Sequence, residues 1–155
     1  MSGTSEITNL NTQNLPGTPI LVSGTIYGEA TSQTPIANVV LEIWHADDGG
    51  VYHSVGGGNV SNYQPNEITL RGFVVTDPQG RYSFQSIRPC LYPGRPRHFD
   101  YRITANGYQT LVTQIYFQND PSTSNENIDS CRIIDFSTNA QNVLQGTADI
   151  RLQAN

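Results

Sequence analysis

The chain has no lysine. All eight of its basic residues are arginines, set against thirteen acidic ones, and the formal net charge is −5. Charged residues fill only 14% of the 155 positions, well below the roughly 25% of an average globular domain. There is no basic cluster to meet phosphates, so neither nucleic acid nor an anionic membrane surface is expected as a partner. No apolar run approaches the about 18 residues that cross a bilayer. The opening Met1-Ser-Gly-Thr-Ser-Glu6 has neither the basic nor the apolar region of a secretory leader. A cytoplasmic protein is the expectation. The two cysteines, Cys90 and Cys131, fit no metal-ligand spacing such as C-x-x-C. Reduced thiols in or near the core are expected rather than a bridge, which a reducing compartment disfavours. The length suffices for a domain with its own core, without help from metals or disulfides.

What is present is punctuated alternation. Residues 1–17 are rich in Thr, Asn, Ser and Gln and lack periodicity, which predicts a polar N-terminal arm, mobile over about its first dozen residues. Residues 18–155 are expected to form a single domain. In Ala37–Ala46, Val39, Leu41 and Ile43 share one face and Val40, Glu42 and Trp44 the other, the pattern of a half-buried strand. Further strands are predicted near Ile20–Tyr27, Leu70–Thr76, Tyr82–Ile87, His98–Ala105, Thr110–Phe117, Cys131–Phe136 and Thr147–Leu152. Asp77-Pro-Gln-Gly80 carries the residues of a type I turn and predicts a hairpin between the strands that flank it. Asn106-Gly107 gives a second hairpin signal. No segment has helical periodicity. Seven or eight short strands in this length predict an all-β fold, an antiparallel β-sandwich.

Two long connections, Asp47–Thr69 and Arg88–Arg97, hold most of the reactive side chains, as functional loops do. The first contains Tyr52 and His53, and the second contains Tyr92 and leads into His98-Phe-Asp100. Residues two apart on a strand project to one face about 6.5 Å apart, so His98 and Asp100 can converge on one ligand. Imidazole plus carboxylate makes half of a non-haem iron site. The same pair also fits a hydrogen-bonded strand edge. His45 shares the face of Val39, Leu41 and Ile43 and is expected as a hydrogen-bonded histidine at the core edge. His53 is expected to face solvent, and Trp44 to pack.

The wider pattern is more specific. Glu42-Ile-Trp-His-Ala-Asp47, Gly50-Val-Tyr52, Leu70-Arg-Gly-Phe73, Thr76-Asp-Pro-Gln-Gly-Arg-Tyr-Ser-Phe84, Ile87-Arg-Pro-Cys-Leu-Tyr-Pro-Gly-Arg-Pro-Arg-His98 and Thr113-Gln-Ile-Tyr-Phe117 follow one another in order. Together they resemble the intradiol ring-cleavage dioxygenases, over about residues 18–120, in a layout nearer the compact protocatechuate type than the catechol 1,2-dioxygenases with their helical dimerisation segment. The resemblance implies the same β-sandwich and an Fe(III) held by two tyrosinates and two histidines. It implies cleavage of a catechol between its hydroxyl-bearing carbons with O2, yielding a ring-opened diacid. Tyr52 matches the first tyrosine ligand, Tyr92 the second, which leaves the iron when substrate binds, and His98 the first histidine. Arg95 matches an arginine beside the substrate, although Arg97 is near enough to be the one turned inward. Gln114 matches a glutamine behind the ligands. The catalytic residues so implied are Arg95, Tyr92 and Gln114.

The family's second histidine is replaced by Asp100. The metal ligands expected are therefore Tyr52, Tyr92, His98 and Asp100. The rival arrangement turns Asp100 to solvent or to Arg102. As a ligand, Asp100 would add a third negative charge to the two phenolates, favouring Fe(III) over Fe(II) and retuning substrate choice or the reaction. The partners expected are a catecholic or phenolic small molecule and O2, with self-association into a homo-oligomer. Two alternatives stand beside this reading: an iron enzyme of altered oxidative chemistry on the same scaffold, and a metal-free β-sandwich that binds a partner.

Overall fold

Alternating burial along the strands builds two sheets face to face. A computed structural model describes residues 8–28, 34–46, 69–89, 97–118 and 132–155. Cys90 and Cys131, and with them the expectation for the two thiols, lie outside those residues, whereas the strand predicted at Cys131–Phe136 is described from residue 132 onward. Eleven strands run through the described residues, in the order β1 (Thr8–Asn9), β2 (Pro19–Gly28), β3 (Val40–Trp44), β4 (Arg71–Val75), β5 (Arg81–Ile87), β6 (His98–Thr104), β7 (Leu111–Phe117), β8 (Ile133–Ile134), β9 (Ser137–Thr138), β10 (Leu144–Thr147) and β11 (Ile150–Leu152). One sheet has the order β1-β5-β2-β10-β9, with β11 also on β2, and the other has the order β4-β3-β6-β7-β8. The all-β sandwich is as the alternation predicts. The surplus over eight strands comes from short pieces and from the final segment, which forms both β10 and β11.

The expected purely antiparallel pairing is corrected to a mixed one. β1 with β5, β10 with β2, β11 with β2 and β7 with β8 are parallel pairs. Alternation sets which face is buried and says nothing of strand direction, so this was out of its reach. The hairpin expected at Asp77–Gly80 is also corrected. The turn forms: Gly80 N–H donates to Asp77 C=O at 2.9 Å, and Asp77 Oδ1 accepts from the amides of Gln79 and Arg81. Gly80 takes φ +75, where a side chain would be strained. Yet β4 pairs with β3 and β5 pairs with β2, so the turn carries the chain from one sheet to the other. A type I turn splays its flanking strands instead of matching their twist, which suits this crossing. The Asn106-Gly107 turn does join antiparallel neighbours, β6 and β7.

Part of the polar N-terminal segment joins the fold. Thr8 and Asn9 pair with Phe84 and Gln85, and Leu10 is 1% exposed. Leu10 C=O accepts from Leu70 N–H at 2.8 Å, tying the two sheets at that end.

The core is aromatic. Phe84 of one sheet meets Phe99 and Tyr101 of the other edge-on, with centroids 5.4 and 6.2 Å apart. Tyr82 donates its hydroxyl to Ala148 C=O at 2.6 Å and lies 3.1 Å from the Tyr101 hydroxyl. Gly24 permits this carbonyl to enter, since a Cβ there would stand 2.0 Å from the Ala148 oxygen. Burial holds the Tyr82 phenol neutral far above its ordinary range, the nearby Asp149 adding to the effect and the Tyr101 hydrogen bond opposing it. In the unfolded chain a tyrosine ionises near pH ~10. Above that pH the unfolded state releases a proton that the folded state keeps, so stability falls as pH rises, by about 1.4 kcal/mol per unit for one phenol. Tyr82→Phe is expected to flatten that alkaline limb in urea denaturation across pH 9 to 11, a range set about the free phenol's pKa. At neutral pH it should cost about 1–3 kcal/mol, because Ala148 C=O loses its donor.

Candidate metal centre

The register of β6 follows from its core face. Phe99, Tyr101 and Ile103 are fully buried between the sheets. His98 and Asp100 therefore project from the opposite face, at the strand end that the Arg88–Arg97 connection enters. They are shielded there too, His98 being 5% and Asp100 8% exposed. His98 Nε2 and Asp100 Oδ2 are 3.6 Å apart. That is long for a hydrogen bond. It matches two donors that share one cation, which at about 2.1 Å each stand roughly 3–3.6 Å from one another.

Neighbouring strands supply the surroundings. Across β6 and β7, Asp100 lies opposite Gln114 and His98 opposite Tyr116. Gln114 Nε2 donates to Asp100 Oδ1 at 3.1 Å, and Tyr116 donates its hydroxyl to Gln114 Oε1. The rings of His98 and Tyr116 are 6.0 Å apart, and the Arg132 guanidinium stands 5.8 Å over the Tyr116 ring. Across β3, Trp44 lies opposite Asp100. Arg71 stacks 5.1 Å over the indole and binds Glu42 Oε2 through Nε at 3.2 Å and Nη2 at 2.9 Å. Trp44 is thus packed and half-buried beside the pair.

Asp100 turns to Gln114 and His98, not to solvent, while Arg102 is exposed. Of the residues expected from sequence, the fold brings His98, Asp100 and Gln114 together. Tyr52, His53, Tyr92 and Arg95 lie outside the described residues. Among the described residues no group of three or more His, Cys, Asp or Glu side chains assembles, and of the ligand candidates only His98 and Asp100 are described. Arg97 donates from Nε to Pro89 C=O at 3.1 Å. His45 is the hydrogen-bonded core-edge histidine expected, with Nδ1 2.7 Å from Ala46 C=O and Nε2 2.6 Å from Ser86 Oγ. Tyr116 was missed. Its signal was present: it stands two residues after Gln114, hence on the same face, in a hairpin whose Asn-Gly turn was legible.

Comparison with known proteins follows the same line. A family model described as Dioxygenase matches residues 2–154. Chlorocatechol 1,2-dioxygenase of Rhodococcus opacus is 33% identical over 138 residues, covering 77% of this chain and 50% of its own length. Catechol 1,2-dioxygenase of Candida albicans is 31% identical over 116 residues, 63% of this chain and 37% of its own. The chain thus spans half or less of these two curated relatives. The dioxygenase domain of a dioxygenase and carbohydrate-binding protein fusion from Streptomyces sp. SirexAA-E superimposes with a TM-score of 0.78 at 31% identity, covering 100% of this chain and 96% of that one.

Proposed function

We propose, from the premise that this chain belongs to the intradiol ring-cleavage dioxygenase family, that it is an iron(III)-dependent enzyme that opens a catechol-type ring between its hydroxyl-bearing carbons. Catechol gains both atoms of O2 and leaves as a dicarboxylic acid, so no outside reductant is needed. The observation that carries the reading is the shielded His98–Asp100 pair, its Nε2 and Oδ2 at a spacing suited to one cation.

The donor set fits iron. Imidazole and carboxylate suit a non-haem centre, and Gln114 occupies Oδ1 of Asp100 while Oδ2 stays on the His98 side. In this reading Tyr52 and Tyr92 complete the set as phenolates, on the strength of their place in the sequence motifs. Bound iron(III) would supply Lewis acidity toward the catecholate oxygens and draw electron density from the ring. Arg95 would stabilise negative charge on that ring, and Tyr92 would give up its place to substrate. Gln114 holds Asp100 in position. Asp100 brings a negative charge where the family has a neutral imidazole. That charge weakens the attraction for a second anionic donor, so electron-rich phenols and catechols that bind as monoanions are favoured substrates. A cytoplasmic setting and self-association belong to the same proposal, and sedimentation of the purified protein tests the latter.

The expected result is a reddish-brown protein with close to one iron per chain, whose colour is a tyrosinate-to-iron charge-transfer band. It should consume O2 and catechol in equal amounts. A protein that stays colourless after iron reconstitution would overturn the reading.

A further inference from the structure

Asp100 is held by a two-residue relay, not by a single hydrogen bond. Gln114 reaches it from the facing strand, and Tyr116 reaches Gln114 from two residues further along. An amide offers an oxygen at one end and an NH2 at the other, and it can turn over. An ionised carboxylate only accepts, and a phenol hydroxyl has a single proton to give. With Gln114 between them, one arrangement satisfies all three groups: NH2 toward Asp100 and oxygen toward Tyr116. The opposite one sets the amide oxygen against Asp100 Oδ1.

We propose that Tyr116 is a positioning residue of the metal site: by fixing the Gln114 amide against Asp100 Oδ1 it keeps Oδ2 turned to the side of His98 Nε2, making Asp100 a one-oxygen ligand. The inference rests on the iron reading above and deepens it. Three observations converge on it. The four side chains form two directly opposed pairs, His98 with Tyr116 and Asp100 with Gln114. Tyr116 is 3% exposed, and the Arg132 guanidinium covers its ring. The oxygen of Asp100 nearer His98 is not the one that Gln114 engages.

The test takes Tyr116→Phe, Gln114→Leu and the double variant, with Asp100→Ala as reference. In metal-free protein, the Gln114 side-chain amide should give a distinct, slowly exchanging pair of 15N-resolved signals that Tyr116→Phe averages or shifts. In iron-loaded protein, Tyr116→Phe and Gln114→Leu should each weaken iron retention against a chelator by about 10- to 100-fold, the range for groups that orient a ligand. Each should also shift the charge-transfer band, and the double variant should lose no more than Gln114→Leu alone. Tyr116→Phe with unchanged amide signals, or with iron retention and band within twofold of the parent while Asp100→Ala loses iron, would overturn the relay and leave the iron reading standing. Full iron retention by Asp100→Ala would remove the ligand role of Asp100, and the proposal with it. Thermal unfolding of each variant separates these outcomes from a general loss of structure.

Discussion

Asp100→Ala should lose most of its iron and fall in ring-cleaving activity by on the order of 100-fold or more, a larger effect than changing a group behind a ligand. The reason is local. His98 stays on β6 with Phe99 anchoring the strand, and the variant removes one donor of a pair 3.6 Å apart. The fold should be kept at a moderate loss of stability, because Asp100 stands on the outer face of its sheet, not between the sheets. The cost there is the Gln114 amide left without its acceptor, about 1–3 kcal/mol. His98→Ala should act alike. Asp100→His is the informative companion: it restores the ligand type of the family motif, so iron should be retained while the absorption band moves. Iron analysis and visible spectra, with circular dichroism as control, check all three. An Asp100→Ala protein with the parent's spectrum and iron content would show that the carboxylate is no ligand.

Phe99→Ala should be the most destabilising change near the site, by about 3–5 kcal/mol. Phe99 is fully buried between the two ligand candidates. Its ring meets Phe84 edge-on at 5.4 Å, stacks on Phe117 at 5.8 Å and meets the His45 ring at 4.8 Å. Removing it opens a cavity bounded by both sheets, which the rigid strands cannot close. At a few degrees of Tm per kcal/mol for a domain of this size, the midpoint should drop by roughly 10 °C. Iron retention should fall with it, because the same strand carries His98 and Asp100. Chemical denaturation measures the first effect and chelator competition the second. Phe99→Leu should recover a good part of both, and a loss under about 1 kcal/mol would contradict the packing described.

The sites of these two predictions were legible in different degrees. That His98 and Asp100 share a face follows from the period of a strand, and that Phe99 faces inward follows from the same period. That the pair is shielded does not follow. Shielding comes from β3 and β7, which bring Trp44 and Gln114 alongside. Gln114 was expected on motif alone, with no partner assigned. Tyr116 went unremarked because its contact is with Gln114 on its own strand, and that contact matters only once Asp100 is known to lie opposite Gln114. His45 was placed correctly, since its face follows from Val39, Leu41 and Ile43, and a buried imidazole needs partners.

Local rules therefore decide which side of each strand is wet, where turns form, and which residue types are available for chemistry. They reach as far as the β6–β7 hairpin, where a short Asn-Gly connection holds both strands together. They do not reach the partner of a strand that closes a long loop. The Asp77–Gly80 turn is complete in its own hydrogen bonds, and whether its strands pair or part depends on β3 and β2, the strands they meet. The parallel seating of β10 and β11 on β2 joins residues that are far apart in sequence. It depends on Gly24 being small enough to admit the Ala148 carbonyl. Pairing energies there are shared among many contacts, each weak, and only the assembled core selects among the alternatives. Sequence alone determined the faces, the turns and the chemical kind of the site. The tertiary structure decided the neighbours, and through them it made two side chains on one strand into a shielded pair of ligand candidates.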